Sequence, residues 1–241
     1  MSMRIPVLLL AGLLAPVAGA AEAAGLREFH ASYAVTWRGL SAGRSELELS
    51  RLPDGRWSYV SRSLAQGIFR VALSTELSQR STFTIRDDRI EPERFQIDDG
   101  TTSKRRDQDL RFDWKNGRVT GVADEMPVDL ALEPGVLDGM TLQIAMMRML
   151  LAGQVPDRFL MIDKTRIKDY VYTQEGAETL PTPLGPQQTV VFRSSRPGGV
   201  RGTWFWCAPE LGYLPVKVER RNGTKVEWSL TLLSARIGAG E

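Results

Sequence analysis

One cysteine, Cys207, and one histidine, His30, are all that this 241-residue chain holds of the residues that carry thiol and imidazole chemistry. A lone cysteine forms no intramolecular disulfide and no dithiol redox pair. One histidine and one cysteine cannot build a His/Cys zinc site. Neither a Walker loop nor a G-x-G-x-x-G occurs, which removes the common nucleotide cradles. Charge of one sign is lacking too: 31 basic residues face 29 acidic ones, a net of +2. That balance gives no electrostatic drive toward nucleic acid. No cofactor and no metal are expected, and the fold must rest on its core, which a chain of this length can supply.

Long apolar runs are also scarce, with one exception at the start. Arg4 precedes an apolar stretch from Ile5 to about Ala18, and small residues then end it. Ala18-Gly19-Ala20 fits an A-x-A cleavage pattern, and Ala21-Glu22-Ala23 is a second candidate. This is the layout of a secretory signal peptide over residues 1–24, cleaved after Ala20 or Ala23. A spanning helix needs about 20 apolar residues, and Pro16, the small-residue end and the missing basic cluster argue against an anchor. The mature chain, 25–241, is therefore expected in the periplasm, soluble and membrane-peripheral at most.

What the chain has in quantity is turns and alternation. Asp54-Gly55, Asp99-Gly100, Asn116-Gly117 and Asn222-Gly223 are pairs that tolerate the positive φ of tight hairpins. Their flanks alternate as half-buried strands do: Ala31, Tyr33, Val35 and Trp37 share one face, as do Leu110, Phe112 and Trp114, and Val226, Trp228, Leu230 and Leu232. One apolar and one polar face is the mark of an antiparallel sheet wet on one side. Such a sheet must curl or stack to hide its apolar side.

The segment "LDGMTLQIAMMRMLLAGQ" breaks this pattern and predicts the principal helix, at about 138–152, with Asp138 as N-cap and Gly153 as stop. Met140, Ile144, Met147 and Leu151 form one apolar stripe, and Leu142, Met146, Met149 and Leu150 a second on nearly the opposite side. A helix apolar on two faces is either sandwiched or closes a greasy cavity. The expected fold is mainly β: curved antiparallel sheets, half-open barrel or sandwich-like, in one domain whose halves, about 26–132 and 157–237, are joined by this helix.

In "TWFWC", residues 203–207, Trp204 and Trp206 point one way and Thr203, Phe205 and Cys207 the other. Bulk on both faces predicts a central strand or one covered on both sides, with most of the aromatics in the core; the alternative is a ligand-facing wall. Gly39-Leu40-Ser41-Ala42-Gly43 is a literal G-x-S-x-G, the pattern of a serine-hydrolase elbow. A strand-like segment follows it instead of a helix, and His30 lies upstream, out of order. A hairpin is expected there and an enzyme is not. The carboxylate pairs Asp87-Asp88 and Asp98-Asp99 lie in polar stretches that read as solvated turns.

The stretches "ETLPTPLGPQQTVVF" (178–192) and "WFWCAPELGYLPVKVER" (204–220), with the "NGT" that follows, resemble domain-of-unknown-function family 3108, uncharacterised exported bacterial proteins. The strand–glycine–strand hairpin at Gly39 and Gly43, Phe112-Asp113-Trp114 and the helix-opening Asp138 strengthen the resemblance, which spans roughly residues 28–235. It implies an envelope protein without established catalytic residues, and a fold similar to half-open β-barrels that carry lipids or lipoproteins. Two functions are expected from different classes. In the first, a non-enzymatic periplasmic protein binds or chaperones a lipophilic ligand (lipid, acyl chain or lipoprotein), with Met146, Met147, Met149, Trp204, Trp206 and Trp228 lining the pocket. In the second, an envelope protein with a fully packed core docks a protein partner through a sheet edge.

Overall fold

The computed structural model describes residues 25–71, 76–103 and 105–238. The expected leader lies outside them. Eight strands follow one another first: β1 (Phe29–Trp37), β2 (Leu40–Arg51), β3 (Trp57–Ala65), β4 (Leu77–Arg86), β5 (Arg89–Asp98), β6 (Gln108–Asp113), β7 (Arg118–Ala123) and β8 (Met126–Ala131). The short β9 (Val136–Leu137) leads into the helix α1 (Thr141–Leu151). Six more strands complete the chain: β10 (Arg158–Asp163), β11 (Arg166–Thr182), β12 (Gly185–Ser195), β13 (Arg201–Ala208), β14 (Leu214–Asn222) and β15 (Lys225–Ile237).

All fifteen strands belong to one sheet, in the order β8-β7-β6-β5-β4-β3-β2-β1-β15-β14-β13-β12-β11-β10-β9. Two meanders, β1–β8 and β10–β15, are fused where the first strand pairs the last, from Phe29 opposite Ile237 to Trp37 opposite Trp228. The expected curved sheets are thus a single sheet, open rather than closed, nearer to the half-open barrel than to the sandwich. One pair departs from the antiparallel expectation: β9 and β10 run parallel. Parallel neighbours need a crossover, usually a helix, and α1 is that crossover.

A sheet of this width curls, and register shifts at Ser32/Tyr33, Val35/Thr36, Thr82/Phe83, Gln174/Gly176, Trp206/Cys207 and Arg220/Arg221 supply bulges that strengthen the local bend. The β9 end folds back over the concave face near β5: Gly139 lies against the Phe95 ring. An ion pair between Lys164, in the β10–β11 turn, and Asp124, in the β7–β8 turn, ties the two halves together.

Three of the four Asn/Asp-Gly pairs sit in turns between consecutive strands, with Gly55, Gly117 and Gly223 all at positive φ. Asp99-Gly100 instead opens the longer link between β5 and β6. The hairpin expected at 39–43 forms: Arg38 (φ 49°) and Gly39 (φ 83°) make the turn and Ser41 lies exposed in β2. Gly43 is glycine because its neighbour strand passes too close; a Cβ there would sit 2.1 Å from the Leu64 carbonyl oxygen.

The helix begins at Thr141, three residues later than expected, and Met140 holds the N-cap position without a side-chain cap bond. Asp138 performs the capping from one step back: its carboxylate accepts hydrogen bonds from the Met140 and Thr141 amides, both at 2.8 Å, and from the Ser81 hydroxyl of β4 at 2.6 Å. Both apolar stripes are buried except at Met149 and Leu151, which are half-buried, and Ile144 and Met146 are at 0 % exposure, so the helix packs on two sides. The core on the concave face includes Tyr33, Tyr59, Phe83, Leu110 and Phe192, each at most 1 % exposed. The Tyr33 hydroxyl donates to the Pro215 carbonyl at 2.8 Å.

Candidate functional site

Strand direction sorts every turn to one of two ends. At one end lie the N-terminal approach, α1 and the β4–β5 turn, which Arg148 of α1 reaches through Asp88. Met147 and Leu151 pack there beside Phe29, Leu211 and Ile237, around a residual space of only about 10 Å³. The helix therefore closes this end.

The other end has no α-helix across it among the described residues. Twelve large apolar side chains are exposed among the described residues, and nine of them lie at this open end. Trp37 and Leu40 flank the β1–β2 turn, Leu64 lies at the end of β3 with Ile68 and Val71 beyond it, and Val200 and Val226 flank the turns beside β13 and β15. Val122 and Met126 stand on either side of the β7–β8 turn. Of the rest, Val155 and Leu184 lie at the helix end and Val171 in mid-strand. Ile68 and Val71 are 74 % and 91 % exposed. Exposed apolar groups gathered in one region mark interaction sites, whereas scattered ones need no explanation.

Behind this rim the concave face turns polar. Alternation places Trp228, Arg220 and Thr203 on the same face as Leu230, Val218 and Phe205, one step nearer the open end. The Ser45, Ser61 and Ser63 hydroxyls join one another at 3.3 and 2.9 Å. Lys168 and Asp163 pair at 2.6 Å. Arg220 is half-buried and donates from Nη1 to the Thr203 hydroxyl at 2.9 Å. No carboxylate of the described residues stands within 4.0 Å of it. Burial pulls its pKa below the ordinary arginine value, with a further contribution from the charge of Arg201.

The six residues predicted to line one pocket occupy four places. Met146 and Met147 are core residues. Met149 borders a hollow of about 260 Å³ at the helix end, together with Ala145, Leu137, Ile90 and Phe159. Trp204 and Trp206 lie on the opposite face of the sheet from Phe205 and Cys207, and hence from α1. Trp228 alone stands at the open end, opposite Trp37. Met146, Met147 and Met149 remain near one another on α1, and Trp206 joins the same buried cluster from the other face of β13, with Trp204 packed against it.

The outer face of β13 is covered by cations instead of a second layer. Arg193 and Arg221 stand 5.3 and 4.8 Å from the Trp204 ring centre, and Lys217 lies 4.5 Å from that of Trp206. Such contacts are favourable by about 0.5–1 kcal/mol or more each. The Trp206 indole N–H donates to Glu178 at 2.8 Å. Burial pushes the Glu219 carboxyl up, but hydrogen bonds from Lys217 and Arg221 outweigh it and hold the group below the usual carboxylate range. Every charge in this ladder has a partner or a ring.

Two other features have possible chemistry. Asp98, Asp99 and Asp107 bring carboxylate oxygens within 4.8 Å of one another. These oxygens accept the amides of Gly100, Thr101, Arg106 and Asp99 and so order the link itself. A groove of about 440 Å³ near them is lined by Ser78, Arg80, Gln96, Asp109 and Val122. Cys207 is fully buried, and burial alone pushes its thiol far above the ordinary range.

Sequence reasoning missed Arg220 and the rim. Trp37 was read as part of an apolar strand face, and Arg220, two positions after Val218 on the inward face, carries no apolar side chain that would continue the stripe. Plain alternation along β14 is the cause: Arg220 shares the inner face of Val218, and Arg221 turns to the tryptophan ladder on the other side.

Fold and site together define a coiled, single-sheet antiparallel β protein, closed by a helix at one end and apolar-rimmed at the other. The chain belongs to the DUF3108 family, proteins of unknown function, whose pattern it matches over residues 32–227. No curated protein matches its sequence. Among solved structures it is similar to a β-barrel-like protein of the domain of unknown function DUF1849 from Brucella abortus, with a TM-score of 0.57 and 13% identity over 89% of this chain and 99% of that one. This likeness shows the fold. MucB in the MucA/MucB complex of Pseudomonas aeruginosa is a more distant neighbour, at a TM-score of 0.42 and 13% identity. The match covers 91% of this chain and just 55% of that one.

Proposed function

We propose that this protein is a non-enzymatic, exported protein of the bacterial envelope that captures a lipophilic ligand at the open end of its rolled sheet. The observation that carries the reading is the concentration of exposed apolar side chains there, against the helix-closed opposite end. Leaving such a surface in water is unfavourable by about 25 cal/mol per Å², and an amphiphile or acyl chain lying across Trp37, Leu40 and Trp228 would remove that penalty. The leader-like first 24 residues place the protein in the periplasm on this reading, where lipids and lipid-modified proteins are at hand. The methionines of α1 then serve the fold, and the ligand wall is Trp228 with Trp37.

A second reading is favoured by the full burial of Ile144 and Met146, which leaves the helix region packed. A protein partner would then cover the same rim. Native mass spectrometry of protein purified gently from its envelope, followed by organic extraction, separates the two. A stoichiometric lipid or acyl species that is lost in Trp37→Ser/Leu40→Ser is the expected result. Recovery of ligand-free protein, with no saturable uptake of a fluorescent fatty-acid analogue, overturns the lipophilic reading.

A further inference from the structure

We infer that Arg220 is the headgroup anchor of the open end, so that the ligand is an anionic amphiphile whose carboxylate or phosphate meets this guanidinium while its chain lies along Trp228, Trp37 and Leu40. The inference rests on the lipophilic-ligand reading and deepens it.

An arginine carries five N–H donors in a planar fork. Arg220 uses one of them on a neutral hydroxyl, that of Thr203. A charge taken partly out of water without a counter-ion is unfavourable, which is why such groups are ordinarily paired. Several other partly buried cations follow that rule, whereas Arg193, on the outer face, meets the Gly199 carbonyl and the Trp204 ring instead. Arg148 pairs with Asp88, Lys168 with Asp163, and Lys217 and Arg221 with Glu219. The carboxylates in the electrostatic surroundings of Arg220 are Asp163 and Glu227, and both are already engaged, by Lys168 and Arg201. Among the described residues no unengaged carboxylate stands in its surroundings.

The position is what turns an unpaired charge into a site. Arg220 stands directly opposite Trp228 on β15, and Trp228 stands opposite Trp37 on β1. Directly opposed residues on one face lie about 4.5–5.5 Å apart at Cβ. A polar head on Arg220 therefore places the first carbons of a chain over the two indoles, and the chain then leaves past Leu40, which is 56 % exposed. The guanidinium fork matches carboxylate and phosphate oxygens bidentately. A neutral lipid would gain the apolar contacts and leave the charge uncompensated.

The test is calorimetric titration of the full mature protein and its Arg220→Met and Arg220→Lys variants with dodecanoate, dodecyl phosphate, dodecanol and inorganic phosphate. Wild-type protein is expected to bind the two anionic amphiphiles roughly tenfold or more tightly than dodecanol, since a charge-assisted hydrogen-bonded pair adds at least that factor. Arg220→Met should abolish this preference while leaving dodecanol affinity unchanged, and Arg220→Lys should restore part of it. Retained dodecanol binding also certifies that Arg220→Met is folded. Stronger binding of dodecanoate than of dodecyl phosphate, or the reverse, names the head. If Arg220→Met binds all three amphiphiles as wild type does, the anchor is refuted and the lipophilic reading stands. If inorganic phosphate alone binds, the chain plays no part and both fall; if no amphiphile binds wild-type protein, the lipophilic reading fails and takes the anchor with it.

Discussion

Replacing Asp138 by alanine should be among the most damaging single changes outside the aromatic core. Its carboxylate is fully buried and accepts three hydrogen bonds, two from the first amides of α1 and one from the fully buried Ser81 hydroxyl. Loss of a helix cap costs about 1 kcal/mol. Orphaning the Ser81 hydroxyl, which has no route to water, adds about 1–3 kcal/mol. The sum is about 3 kcal/mol, or a fall of roughly 6–12 °C in Tm for a domain of this size. Denaturant titration followed by tryptophan fluorescence reads it directly. The pH dependence is the sharper test. Burial raises the Asp138 pKa above its ordinary value of 3.8, outweighing the hydrogen bonds that lower it. A carboxyl with a raised native pKa contributes stability that is fully present below the unfolded value and is lost as pH rises through the native one. The stability of wild type relative to Asp138→Asn, which does not titrate at this site, should therefore fall as pH rises from about 3.8 into the range just above it. A difference that grows over the same interval would show an ordinary ion-stabilised carboxylate and refute the reasoning.

Three further outcomes follow from particular positions. Gly43→Ala should destabilise by about 2–3 kcal/mol or prevent folding, because its Cβ would overlap the Leu64 carbonyl, whereas Ser41→Ala, at an exposed strand position two residues away, should stay within about 0.5 kcal/mol; equal effects in a thermal melt would contradict the hairpin. Cys207 should resist a thiol-specific chromogenic reagent in the native state at pH 8 and react with unit stoichiometry once the protein is unfolded, since burial suppresses its thiolate; rapid native labelling would mean that the β13 core opens. Ile144→Ala, at a fully buried helix position, should cost about 2–5 kcal/mol with little collapse of the site, and a denaturation midpoint equal to that of wild type would mean that the helix does not pack as described.

The strands were legible because their signal is local. Alternation at 31–37, 110–114 and 226–232 depends on one buried and one wet face, and the sheet retains that asymmetry along most of its width. The helix was legible for the same reason, although its start moved from Asp138 to Thr141, because a buried carboxylate capping from outside the helix leaves the same sequence mark as an N-cap residue. The pairing of β1 with β15 joins residues some two hundred positions apart and has no local signature, so one sheet was read as several. The candidate site suffered from a related blindness. Aromatic and methionine density marks where apolar surface is, and says nothing of which face carries it. Trp204 and Trp206 were grouped with the α1 methionines on composition, yet the sheet backbone separates them, and cations that are unremarkable in sequence, Arg193, Lys217 and Arg221, cover them. Arg220 faces inward by continuing the alternation of Val216 and Val218, and a charge at the end of an apolar strand face reads in sequence as the strand running out into solvent.

The unequal ends also set where stability and binding reside. The helix end holds the cap, the buried stripes of α1 and the close packing around Met147, so changes there act on folding. The rim holds side chains that are largely solvated in the free protein, and removing them takes little from the native state. Mutations separated by more than about 7–10 Å, with no shared partner, add within about 0.3–0.5 kcal/mol. Asp138, bonded to Ser81 midway along β4, and Trp37, the last residue of β1, share no hydrogen-bond partner. The single change at Trp37 should leave Tm within about 2 °C of wild type and weaken amphiphile binding, whereas the change at Asp138 should lower Tm and leave the affinity of the folded fraction intact. The double variant should show the two effects summed. A coupling above about 1 kcal/mol in the unfolding free energy would mean that the rim is part of the cooperative core, and a Trp37→Ser protein as unstable as Asp138→Ala would return the exposed aromatics to a structural role and remove the open end as the place where this protein acts.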